Sequence, residues 1–117
     1  MALTLSNMLP LGTKAPKFTL VDTKDGQQKS LTNLSGNVGT LIMFICNHCP
    51  FVIHVNEQLV KLANDYTLKG VSFIAISSND AVNYPQDGPD VMQQHAKDNM
   101  YTFPYLYDKT QTVAKAY

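Results

Sequence analysis

An unbroken apolar run, Thr40-Leu41-Ile42-Met43-Phe44-Ile45, leads directly into Cys46-Asn47-His48-Cys49-Pro50, and this junction constrains the chain more than any other segment. Six such residues suit a strand buried on both faces. Beyond the junction Val52, Val55, Leu59, Leu62, Ala63 and Tyr66 recur at helical spacing up to Gly70. His54, Gln58, Lys61 and Asp65 share the opposite, solvated face, and Glu57 and Lys61 form a favourable i,i+4 pair. A second apolar run, Val71 to Ile76, completes a strand–helix–strand unit, for which a right-handed parallel crossover is the expected topology.

Other elements group around that unit. Lys17 to Val21 alternates apolar and polar residues, Asp25-Gly26 signals a turn, and Gln28 to Leu31 returns as the second arm of a hairpin. Thr32 to Gly39 reads as a polar connection. Ser77 to Gly88 is a long polar loop, and Pro89 opens a helix to about Met100 with Val91, Met92 and Ala96 inward. His95 borders that stripe as a packing residue. Tyr105 to Tyr107 suits a short strand, and Thr110 to Tyr117 begins another helix. Tyr101, Phe103, Tyr105 and Tyr107 read as core and edge packing, because no basic residues interleave them as in a base-stacking surface. The fold class is α/β, in one domain spanning residues 1–117.

Charge is balanced, with nine lysines, no arginine and nine acidic residues, so no field draws the chain to nucleic acid or an anionic membrane. The N-terminal ten residues lack the basic and apolar regions of a leader, and the stretch from Val38 to Cys46 is too short to span a bilayer. A cytoplasmic protein is expected. Two cysteines cannot build a multi-bridge secretory framework, so their proximity calls for a catalytic or metal-binding explanation.

Placed between a strand and a helix, Cys46 is expected to feel the unpaired N–H groups and dipole of the helix start. Those stabilise the thiolate and lower the thiol pKa. Cys49 lies about one turn on, within reach to close or resolve a disulfide. Pro50 fits the first helical turn, and a protonated His48 between the sulfurs favours the reduced anion, making the pair more oxidising. Asn47, His48 and Pro50 are therefore modulating positions. Asn79 and Asp80, with Tyr84 and Asp87, follow a buried strand and are candidates to line the site. A soft metal such as Cu(I) or Zn(II), held by Cys46, Cys49 and His48, is the alternative from a different class. His54 is rotated away from the cysteines and reads as a surface residue.

Several of these strings resemble a known family. Gly12-x-x-Ala15-Pro16-x-Phe18-x-Leu20-x-Asp22 is similar to the N-terminal hairpin of the redoxins, which include AhpC/TSA-type peroxiredoxins and TlpA/ResA-like thioredoxins. Cys46 to Phe51, Ser77 to Asp80, Tyr84-Pro85-x-Asp87, Phe103 to Leu106 and Asp108 to Tyr117 resemble a thioredoxin-like subgroup of it. The resemblance implies a thioredoxin-like fold with an N-terminal hairpin extension, and a thiol-disulfide oxidoreductase whose Cys46 attacks and Cys49 resolves. It implies no cofactor beyond a Cys46–Cys49 redox disulfide, and as partners a disulfide substrate and a thiol reductant. Three departures stand out. Ile45 replaces the tryptophan of typical thioredoxins. Met43 stands where a peroxiredoxin has threonine, and the arginine that holds peroxide is missing, which weighs against a thiol peroxidase. Family members also continue past the equivalent of Tyr117 with a cis-proline strand facing the cysteines, a hairpin and a last helix. The resemblance thus implies an incomplete domain with an open strand edge, through which a homodimer could form.

Overall fold

A computed structural model describes residues 8–117; the first seven residues, within the stretch read above as lacking a leader pattern, lie outside the described residues. The elements are β1 (Thr19–Asp22), β2 (Gln28–Ser30), α1 (Leu31–Leu34), β3 (Gly39–Phe44), α2 (Pro50–Thr67), β4 (Val71–Ser77), α3 (Pro89–Asp98), β5 (Tyr105–Tyr107) and α4 (Thr112–Ala116), with a 3-10 turn at Pro85–Asp87. They build one five-stranded sheet in the order β2-β1-β5-β4-β3. The β3–β4 and β4–β5 pairs are parallel, and β1 pairs antiparallel with both β2 and β5.

β4 explains why the sheet carries two cores. Its side chains alternate, and both sets are apolar. Phe73 and Ala75 join Val60 and Ala63 of α2, Met92 and Ala96 of α3, and Tyr101, Phe103 and Tyr105. Ile74 and Ile76 join Phe18, Leu106 and Val113 on the other face. Each fully buried aliphatic side chain here contributes roughly 1.5–3 kcal/mol. The aromatic group is thus packing, as expected: Tyr101 stacks on Phe103 at 4.6 Å and meets Tyr105 edge-on at 5.4 Å.

The turn after α2 ends on a glycine for a steric reason. Gly70 has φ +88°, and a Cβ there would sit 2.8 Å from Val38 Cγ2. The hairpin is closed by Asp22, whose buried carboxylate accepts from Lys29 Nζ at 2.6 Å and from the backbone N–H of Lys24 and Tyr105.

Three sequence expectations need correction. β3, expected to be buried on both faces, pairs with β4 alone and lies at the sheet edge, with Leu41 and Phe44 exposed. The inward face of α2 is rotated: Asn56, Val60 and Ala63 are buried, whereas Val55, Leu62 and Tyr66 are exposed. Asn56 is the cause, because its Oδ1 accepts the Tyr101 hydroxyl at 2.7 Å and brings a polar residue inside. In α3, Met92 and Ala96 point inward, but Val91 is exposed. Smaller differences are the short α1 inside the expected connection, the 3-10 turn in the long loop, and the later start of the last helix, at Thr112. Among the described residues no helix is long and apolar enough to cross a membrane.

Candidate active site

Parallel strands carry their loops in one direction, so the segments after β3 and β4 meet at the sheet's C-terminal edge. The backbone leaves β3 through Ile45, whose N–H still bonds Ile76 of β4 at 2.9 Å. It then turns through Cys46, Asn47 and His48 and enters α2 at Cys49, the N-cap, with Pro50 at the first helical position as expected. Ile53 N–H closes the first turn on Cys49 C=O at 3.0 Å.

Asn47 locks this turn. Its backbone N–H donates to Asp87 Oδ1 at 3.1 Å, its Nδ2 donates to Gln86 C=O at 2.9 Å, and its Oδ1 accepts the Tyr105 hydroxyl at 2.8 Å. Both Asn47 and Tyr105 are buried. The polar loop after β4 is thereby pinned onto the cysteine turn, and β5 holds it from beneath.

Asp87 is fully buried, a position that polar residues occupy only when hydrogen-bonded. His48 Nδ1 lies 2.5 Å from its Oδ2, which also accepts from Asn79 Nδ2 at 2.9 Å. Burial pushes the Asp87 carboxyl up, but hydrogen bonds from Asn79 and His48, the His48 charge and the Asn47 N–H outweigh it and hold it below the usual carboxylate range. The His48 ring lies nearly parallel to that of Tyr84, with centroids 5.7 Å apart.

The Cys46 thiol departs from the sequence expectation. It is buried, and burial pushes its pKa up. The backbone N–H groups of Cys49 and His48 act in the expected direction, but burial outweighs them, and the Asp87 carboxylate and Cys49 add to the upward push. His48 is likewise not an uncompensated cation between the sulfurs; it is paired with a buried anion. Both cysteines are free, Cys46 buried and Cys49 half-buried. Among the described residues, the group close enough to share an ion is Cys46, His48 and Asp87, with one ligand atom each within 4.8 Å of the others, rather than Cys46, Cys49 and His48. Both Asp87 oxygens in that group already accept protein hydrogen bonds.

A cleft of about 640 Å³ opens over the turn. Cys46, His48, Cys49, Pro50, Asn79, Asp80, Tyr84 and Gln111 line it, whereas Asn47 and Asp87 are buried and do not. Asp80 is exposed and occupied by its own turn, accepting from Val82 N–H and Asn83 N–H. An adjoining apolar groove runs past Phe44, Cys46, Cys49, Val52 and Ala114. His54 is exposed on α2, as expected, and His95 packs against Tyr101, its Nε2 3.2 Å from that hydroxyl. Sequence reasoning had placed Asp87 only among residues that line the site; the prolines and glycine around it mark a turn but say nothing of its burial.

Comparison with known proteins fits this geometry. An uncharacterized conserved protein from Geobacillus kaustophilus is 57% identical with a TM-score of 0.92, over 94% of this chain and 58% of that one. A hypothetical protein from Sinorhizobium meliloti 1021 is 40% identical with a TM-score of 0.90, over 95% of this chain and 60% of that one. A thiol:disulfide interchange protein of the thioredoxin family from Chlorobium tepidum shares the fold at 19% identity, with a TM-score of 0.71 over 95% of this chain and 68% of that one. The chain therefore spans about three fifths of the length of the first two, and comparison with curated proteins gives no match. The fold is thioredoxin-like. A family model described as AhpC/TSA covers residues 11–117, and with that match the chain belongs to the AhpC/TSA family, a family of redoxins.

Proposed function

We propose that this redoxin is a thiol-disulfide oxidoreductase in which Cys46 attacks a disulfide and Cys49 resolves the mixed disulfide. The observation that carries the reading is the cysteine pair at the turn from β3 into α2, where Cys46 and the N-cap Cys49 line one cleft together. The thiolate of Cys46 is the attacking form, and the cleft gives a disulfide access to it. Cys49, at the N-cap and half-buried, is placed to attack next. The substrate is a protein or small-molecule disulfide, a thiol reductant regenerates the pair, and the redox group is the Cys46–Cys49 disulfide itself.

The redox role at large is supported by family membership. A second reading, a thiol peroxidase in which Cys46 is oxidised to sulfenic acid and Cys49 condenses with it, draws on the same membership. Met43 of β3, packed against the core under α2 and α3, and the absence of arginine speak against it. Reduction of insulin disulfides, followed by turbidity, tests the first reading. Turnover that disappears in Cys46→Ser and in Cys49→Ser supports it, turnover that survives Cys46→Ser overturns it, and rapid peroxide consumption without disulfide reduction favours the second.

A further inference from the structure

We infer that Asp87 is a positioning residue that fixes His48 as the proton acceptor for the Cys46 thiol, so that the turn carries a sulfur–imidazole–carboxylate relay. The inference rests on the thiol-disulfide reading above. Its geometric basis is the cluster in which the Cys46 sulfur, a His48 ring nitrogen and an Asp87 oxygen all lie within 4.8 Å of one another.

An ionised carboxylate only accepts hydrogen bonds, so His48 Nδ1, 2.5 Å from Asp87 Oδ2, carries the proton. In the neutral ring the free lone pair is then on Nε2. Tyr84 stacks on one face of the ring and restricts its rotation. Asp87 is itself immobilised by Asn47 N–H and Asn79 Nδ2.

The relay matters because burial disfavours the Cys46 thiolate. An acceptor is needed when the sulfur attacks. The proton passes from Sγ to the His48 imidazole across one water as Sγ bonds to one substrate sulfur. The substrate S–S bond breaks, its electron pair leaves on the other sulfur, and the imidazolium returns the proton to that thiolate. Cys49 then attacks Cys46 of the mixed disulfide by the same exchange. The dithiol is oxidised by two electrons, and the substrate is reduced to two thiols.

Other ionisable groups surround the couple. Cys49 lies on the same turn, Asp80 and Tyr84 come from the loop after β4, Tyr105 from β5 and His95 from α3. Burial pushes the Tyr105 hydroxyl far above the range in which it titrates, and burial pushes His95 down. Hydrogen bonds from Asn83 and Val82 keep Asp80 ionised.

The test uses the full chain and an aromatic disulfide reagent, following the rate of the first exchange from pH 5 to 9. The expected wild-type profile has an imidazole limb below the thiol limb. His48→Gln is expected to lose that limb and at least ~10-fold in rate at pH 7. Added free imidazole should restore part of the loss in His48→Gln and leave the wild type unchanged. Asp87→Asn should move the imidazole limb to lower pH, because the ring loses the adjacent negative charge; if that variant does not fold, the half-exposed His48 position still decides the matter. A His48→Gln profile and rate equal to wild type, with no response to imidazole, overturns the inference. Loss of exchange in Cys46→Ser alongside an unchanged His48→Gln refutes the relay alone, whereas full exchange in Cys46→Ser refutes the underlying reading.

Discussion

Replacing Tyr105 with phenylalanine removes one oxygen from the best-buried part of the site. The Tyr105 side chain is fully buried, and its hydroxyl donates to Asn47 Oδ1 at 2.8 Å. The ring's packing against Tyr101 and His95 is retained in phenylalanine. What changes is that a buried amide oxygen loses its donor, which costs about 1–3 kcal/mol. At a urea slope of about 2 kcal/mol/M, mid-range for a small protein, the midpoint should fall by about 0.5–1.5 M. Tyr107→Phe is the control: that residue is half-buried, and among the described residues its hydroxyl has no side-chain hydrogen bond. Its midpoint should move by less than about 0.5 kcal/mol equivalent. Equal midpoints for Tyr105→Phe and wild type would refute the claim that Asn47 is held from beneath by β5.

Other outcomes follow from single features. The Asp87 carboxyl is depressed in the fold, so its stabilisation is present above the unfolded carboxylate range and is lost as pH falls through the lower folded value; an acid titration by circular dichroism should show wild type losing more stability than Asp87→Asn over that window. The Cys46 thiol is raised, so its contribution is present below the unfolded thiol value and lost as pH rises through the folded one; at pH 7 iodoacetamide should alkylate Cys46 more slowly than a free model thiol. Gly70→Ala should lower stability by at least about 1–2 kcal/mol in a denaturant melt, because alanine disfavours φ +88° and its Cβ meets Val38. Leu106→Ala, in the second core, should cost ~2–5 kcal/mol in the same melt.

How far the residues disclose this fold is seen by comparing the junction with its surroundings. The apolar run, Cys-x-x-Cys-Pro and the glycine stop are local signals, and they place β3, the turn and α2 within a residue or two. The phase of α2 was harder, because the periodicity of Val55, Leu62 and Tyr66 describes an apolar face that the structure leaves exposed. A polar residue, Asn56, faces inward because Tyr101, 45 positions away, supplies its partner. The same holds at the site. Spacing alone identifies Cys46, Cys49, His48 and Pro50 as neighbours, but Asp87 meets Asn47 across 40 residues of chain, and no local pattern announces a buried carboxylate. The Cys46 expectation failed for that reason: the helix-start N–H groups were legible, whereas the opposing burial and negative charge come from tertiary structure. β3's place at the edge is also set by topology, since its composition is that of an interior strand.

The central claim, that Cys46 attacks and Cys49 resolves, is tested most directly by trapping. Cys49→Ser and Cys46→Ser are each reduced, mixed with an oxidised peptide disulfide and read by intact and peptide mass spectrometry. The account predicts that Cys49→Ser accumulates a mixed disulfide on Cys46, while Cys46→Ser accumulates little adduct on Cys49. Equal or greater trapping on Cys49 in Cys46→Ser, or no adduct in either variant, would contradict it.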